Sequence, residues 1–114
     1  MGLEKDSKIK IRQKFPSGPR NLITDVKGVT VGHVTLNDDE KEIHTGVTAI
    51  RGHKGNLFQD KLPAGTAVIN GFGKSAGLIQ IDELGTLETP IIMTNTLSVG
   101  TALSALTGYM LREN

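Results

Sequence analysis

An α/β fold is the class this sequence predicts, and three observations predict it. Two short runs rich in β-branched residues, VTVGHVT at 29–35 and GVTAI at 46–50, read as strands. Ala67, Val68 and Ile69 form a continuous apolar run of the kind found in strands buried on both faces. From Ser98 onward, Val99, Ala102, Leu103, Leu106 and Met110 recur at helical spacing.

The elements follow in order. Residues 1–20 form a charged N-terminal tail, closed by the breaker cluster Pro16, Ser17, Gly18 and Pro19, and the domain proper spans 21–114. The turn-like stretch from Asp25 to Gly28 leads into the first strand, which Gly32 interrupts, and the polar, acidic residues 37–42 turn the chain toward the second. These two strands can pair as a hairpin. Leu57 and Phe58 anchor the loop that follows, and Pro63, Ala64 and Gly65 introduce a third strand over 66–70. Leu78, Ile79, Ile81 and Leu84 suit a short helix closed by Gly85, although the alternation of Ile79 and Ile81 also permits a strand. Pro90 opens a fourth strand through Ile91, Ile92 and Met93. The last helix runs from 98 to about 112, with Thr96 or Ser98 accepting its free amide hydrogens and Arg112 at the negative end of its dipole.

Composition excludes several classes of function. Thirteen basic and twelve acidic residues give a net charge of +1, so no electrostatic footprint for nucleic acid or an anionic membrane is present. The absence of cysteine removes a disulfide framework, a thiolate metal site and a cysteine nucleophile from this chain, and fits a reducing compartment, with the cytoplasm as the expectation. The charged N-terminus lacks the apolar core of a signal peptide, no run reaches the roughly 20 apolar residues that span a bilayer, and Asp6 stands where a myristoylation motif wants Ser or Thr.

The densest chemistry lies between Asn70 and Gly100. Gly73, Lys74 and Ser75 resemble the end of a phosphate-binding loop, but Val68 occupies the position of its first glycine, and Ala76 likewise breaks a dinucleotide-binding pattern. Asp82, Glu83 and Glu88 are the only acids between Asp60 and Glu113. A carboxylate among them can hold a substrate ammonium or serve as a base, or all three can cover an exposed turn. Glu88 is the sharper candidate, set between apolar neighbours and the rigid Pro90. Thr94, Asn95, Thr96 and Ser98 follow a strand and precede a helix, so they can stabilise a developing negative charge or simply cap the helix. His33, His44 and His53 lack metal-ligand spacing, which points to structural or surface roles and leaves no metal site expected.

NLITDVKGVTVGH at 21–33, GVTAI at 46–50, and NGFGK, ELGTLETPI and TNTLSVG between 70 and 100 resemble the D-aminopeptidase and β-aminopeptidase family. That family is known for L-aminopeptidase D-esterase/amidase activity and groups with the self-cleaving N-terminal-nucleophile-like hydrolases. The resemblance implies an αββα sandwich assembled from a precursor that cuts itself once, leaving two associated chains. It implies a nucleophilic serine at the start of a companion C-terminal chain, short peptide, amide or ester substrates, no metal or organic cofactor, and a homo-oligomer of the two-chain unit. It also implies that residues 1–114 stop before the cleavage site, so that this chain holds no catalytic residue; neither Ser75 nor Ser98 matches the nucleophile. On this chain it makes Glu88, within LETP, the acid that receives the substrate amine, with Phe72 and Asn95 shaping the pocket. The alternative is a truncated, non-enzymatic relative that serves as a binding or structural domain.

Overall fold

The structure, a computed structural model, describes residues 14–114; the expected tail therefore lies outside the described residues over 1–13. Its first ordered feature is built on one carboxylate. Asp25 accepts hydrogen bonds from the Arg20 amide at 3.0 Å, the Leu22 amide at 3.2 Å and Arg20 Nε at 3.1 Å, and this closes a 3-10 turn at Ile23–Asp25. Loss of hydration pushes the Asp25 carboxyl up, but the bonds from Leu22 and Arg20, with the guanidinium charge, outweigh it and hold the group below its ordinary value of 3.8.

Strands β1 (Thr30–Asp38) and β2 (Ile43–Arg51) form the expected antiparallel hairpin in unbroken register; β1 starts one residue inside the first β-branched run and continues three past it, and β2 extends beyond the second run at both ends. The turn is held by the Lys41 amide donating to Asp38 Oδ1 at 3.1 Å, and Glu42 adopts φ 52° to bring the chain around. Cross-strand pairs such as Val31 with Ile50 and Val34 with Val47 contribute about 0.2–1 kcal/mol each. Gly46 is required by close approach, because a Cβ there would sit 2.6 Å from the Val34 carbonyl oxygen. Strand β5 (Ile91–Met93) joins the other edge of β2, also antiparallel, giving the sheet order β1-β2-β5.

A second, two-stranded sheet pairs β3 (Leu62–Pro63) with β4 (Thr86–Leu87). It departs from the sequence expectation, which places a strand at 66–70 instead. Residues 66–70 pair with no strand, and Ile69 is 95% exposed. An apolar run becomes a buried strand only between two neighbouring strands, and among the described residues none flanks it. Helix α1 (Leu78–Leu84) resolves the helix-or-strand ambiguity; Gly85 ends it at φ 67° with its amide on the Ile81 carbonyl at 2.7 Å. A 3-10 turn at Thr96–Ser98 leads into α2 (Val99–Glu113), one turn of irregular helix before the regular one begins.

The core sits beneath the end of α2. Leu57, 2% exposed, is the one buried apolar side chain among the described residues outside proline, and it lies with Tyr109 and Met110 around it. The loop over 51–60 is fastened there. Arg51 donates to the Lys54 and Gly55 carbonyls at 2.8 and 3.1 Å, and Asn56 Oδ1 takes the Phe58 and Gln59 amides at 3.0 and 3.1 Å. A single-core domain of this length has a radius of gyration of about 13 Å. Here it is 16.4 Å, larger than a single compact core gives.

Candidate functional site

Glu88 follows β4 directly and precedes Pro90, whose ring keeps the preceding residue out of the helical region. Pro90 is buried and Glu88 half-buried, so the backbone of Glu88 lies beside a stretch that the proline stiffens. Among the described residues it makes no ion pair or side-chain hydrogen bond. Asp82, by contrast, accepts the Thr66 hydroxyl and tethers the segment after β3 to α1.

Asn95 stands at the end of β5, and its side chain caps the turn that starts the last helix: Oδ1 accepts the Ser98 amide at 3.0 Å. This corrects the expectation that Thr96 or Ser98 supplies the cap. The 3-10 turn moves the orphan amides one turn toward the N-terminus, within reach of Asn95 and not of the two hydroxyls. Phe72 is 93% exposed on the unpaired stretch before α1, so its ring shapes no enclosed pocket within these residues. The three sequence candidates are thus not gathered into one site by residues 14–114.

A groove of about 630 Å³ opens instead between α2 and the sheet, with Val34, Leu36 and Val47 on its floor and Ala102, Ala105 and Leu106 on its helical wall. Thr94, Asn95 and Ser98 stand at one end, Arg51 and Tyr109 at the other. Of the three candidates only Asn95 lines it, with Pro90 as the link toward Glu88. The signal for the floor was present in the sequence as the two-residue spacing of Val34 and Leu36, matched across the hairpin by Thr45 and Val47.

Among the described residues neither the Ser75 nor the Ser98 hydroxyl is hydrogen-bonded to a histidine or an acid; the hydroxyls that are belong to Thr48, against His33, and Thr66, on Asp82. The histidines serve the scaffold. His33 Nδ1 meets the Thr48 hydroxyl at 2.9 Å across the hairpin, His44 meets Asn37 Oδ1, and His53 bridges the Gly55 amide and the Asp60 carbonyl at 3.0 and 2.7 Å. No helix among the described residues is long and apolar enough to cross a membrane.

Residues 21–114 match the description of peptidase family S58. The chain belongs to that family. Within peptidase family S58, the chain is 41% identical over 90 residues to the β-peptidyl aminopeptidase BapA of Sphingosinicella xenopeptidilytica, covering 73% of this chain and 22% of that protein. It is 35% identical over 100 residues to BapA of Sphingosinicella microcystinivorans, covering 82% and 25%. The PH0078 protein of Pyrococcus horikoshii OT3 superposes with a TM-score of 0.83 at 55% identity, over 94% of this chain and 32% of that one. A Burkholderia sp. β-aminopeptidase superposes with a TM-score of 0.77 at 44% identity, over 85% and 28%. The chain therefore spans about a quarter of the length of the curated peptidase family S58 relatives it matches.

Proposed function

We propose that these residues are the N-terminal portion of a self-processing serine aminopeptidase that hydrolyses N-terminal aminoacyl amide, ester or peptide bonds. The observation that carries this reading is the identity of 35–41% with two β-peptidyl aminopeptidases, spread over most of this chain and only a quarter of theirs. The complete protein is an αββα sandwich, and the described sheets and helices supply part of its scaffold. Its nucleophile is the N-terminal serine of a companion chain released by autoproteolysis. That hydroxyl attacks the scissile carbonyl while the serine's own α-amine takes the proton; the amine or alcohol leaves, and water then releases the acyl group.

Glu88 has a binding role in this scheme. An ionised carboxylate on a rigid, half-buried stretch accepts charge-assisted hydrogen bonds from the substrate's free ammonium and so fixes the scissile bond relative to the nucleophile. Phe72 and Asn95 border the pocket once the companion chain covers them. The two-chain unit associates into a homo-oligomer and works in the cytoplasm without a cofactor.

The test compares two proteins on aminoacyl p-nitroanilides: residues 1–114, and the product of the coding sequence continued past Asn114. The continued protein is expected to appear as two chains by intact mass, the second beginning with serine, and to release p-nitroaniline, while residues 1–114 alone are inactive. Enzyme-like turnover by the short chain, or an uncut and inactive longer protein, overturns the proposal; the latter result identifies a non-enzymatic relative.

A further inference from the structure

We infer that Asn70 and Gly71 form a self-modification site of this chain, at which the Asn70 side-chain amide closes on the Gly71 backbone nitrogen to give a succinimide, ammonia leaves, and water opens the ring to aspartate and isoaspartate. The chemistry is separate from the hydrolase reaction proposed above and takes no second molecule except water.

The parts of the reaction stand within three residues. The nucleophile is the Gly71 amide nitrogen, which is exposed, lies outside any strand or helix and, among the described residues, donates to no acceptor. Glycine carries no side chain to obstruct the closing ring, and the space around it is open, since even an added Cβ would meet nothing within 4 Å. The electrophile is Cγ of Asn70. Its Oδ1 accepts the Phe72 amide at 3.1 Å, which turns the side chain toward Gly71 and polarises the carbonyl. As attack places negative charge on that oxygen, the same N–H stabilises it in the manner of an oxyanion donor. The chain itself supplies proximity, because the reacting atoms belong to neighbouring residues.

The Gly71 nitrogen gives its proton to hydroxide and attacks Cγ; the N–Cγ bond forms, the Cγ–Nδ2 bond breaks, and Nδ2 departs as ammonia with a proton from water. Water then adds to one of the two ring carbonyls. Cleavage of the N–Cγ bond restores the original backbone with aspartate at position 70, whereas cleavage at the main-chain carbonyl routes the backbone through the side chain as isoaspartate. Either product adds one negative charge to a chain of net charge +1 and brings it to zero.

Other asparagines lack this combination. Asn56 commits its amide nitrogen to Glu113 and Asn114 and is followed by Leu57; Asn37 lies inside β1; Asn95 holds the Ser98 amide and is followed by the β-branched Thr96.

Residues 1–114, incubated in mildly alkaline buffer and mapped by peptide mass, are expected to lose ammonia and then gain a carboxyl at Asn70, with isoaspartate there detected by an isoaspartyl methyltransferase, and the altered chain should focus at a more acid pH. Asn56 and Asn95 should remain amides over the same period. Gly71→Ala, whose methyl has open space and leaves the fold intact, is expected to slow the reaction about tenfold or more. Because the segment is already open in the folded chain, the rate at Asn70 in urea should lie within about threefold of the folded rate. The inference is overturned by an Asn70 as durable as Asn56, by aspartate without isoaspartate, which marks direct hydrolysis, by an unslowed Gly71→Ala, or by a larger acceleration in urea, which would show that the fold protects the site.

Discussion

Asn56 grips Asn114 across the molecule, donating from Nδ2 to the Asn114 side-chain oxygen at 2.9 Å and to the Glu113 carbonyl at 3.1 Å. The same side chain accepts two amides of its own loop, so one residue ties the hairpin's exit to the end of α2. Asn56→Asp keeps the acceptor, removes both donors and sets a negative charge beside the negative end of the helix dipole. A loss of about 1–3 kcal/mol in urea unfolding is expected, with faster amide exchange at Phe58 and Gln59. An unchanged midpoint would show that the grip contributes nothing.

Leu57 is expected to be the most sensitive apolar position among the described residues. Leu57→Ala removes the side chain packed with Tyr109 and Met110 and leaves a cavity. A cost of about 2–4 kcal/mol by thermal or chemical unfolding is the expected outcome.

Two glycines of one hairpin should respond with opposite sign. A methyl group at Gly46 meets the Val34 carbonyl at 2.6 Å, whereas one at Gly32 meets nothing within 4 Å. Gly46→Ala is expected to destabilise by about 1–3 kcal/mol as the backbone shifts. Gly32→Ala is expected to be neutral or to stabilise by about 0.4–1 kcal/mol through the unfolded chain. The pair of unfolding midpoints checks both at once.

The turn around Asp25 carries a pH dependence whose sign is fixed. The folded carboxyl lies below its ordinary value of 3.8, so its stabilising contribution is complete above that value and is lost as the pH falls through the lower folded one. Chemical shifts of the Arg20 and Leu22 amides should therefore hold steady from neutral pH down to about 4 and move together only in stronger acid. Movement near pH 6 would assign the transition to another group.

Glu88→Gln in the complete protein tests the amine-binding role. Loss of the ionic partner is expected to lower kcat/KM for substrates with a free amine by about 10- to 100-fold, the equivalent of one charge-assisted hydrogen bond. N-acylated substrates, which lack the ammonium, should show little difference between the two proteins. Unchanged kinetics on free-amine substrates would move the role to Glu83 or Asp82.

Local features of this fold were legible in the sequence where short-range chemistry decides them. β-Branched runs around an acidic turn give the hairpin, Gly85 ends α1, and the spacing from Val99 to Met110 gives α2. Non-local features were not. The pairing of Leu62 with Leu87 joins residues 25 apart through two-residue strands that no propensity marks, and residues 66–70 have the composition of a buried strand without neighbours to make one. The cap passed to Asn95 because a 3-10 turn shifted the start of the helix. For the candidate site, the stiff setting of Glu88 beside Pro90 was readable, while the groove was not, since it depends on which hairpin face α2 overhangs.

The unpaired stretch between β3 and α1 has a consequence for how the chain meets a protease. Ile69 and Phe72 project from extended chain without strand neighbours, the combination that proteases and chaperones grip most readily. Among the described residues, limited proteolysis is therefore expected to cut first between residues 64 and 77, ahead of the hairpin and α2.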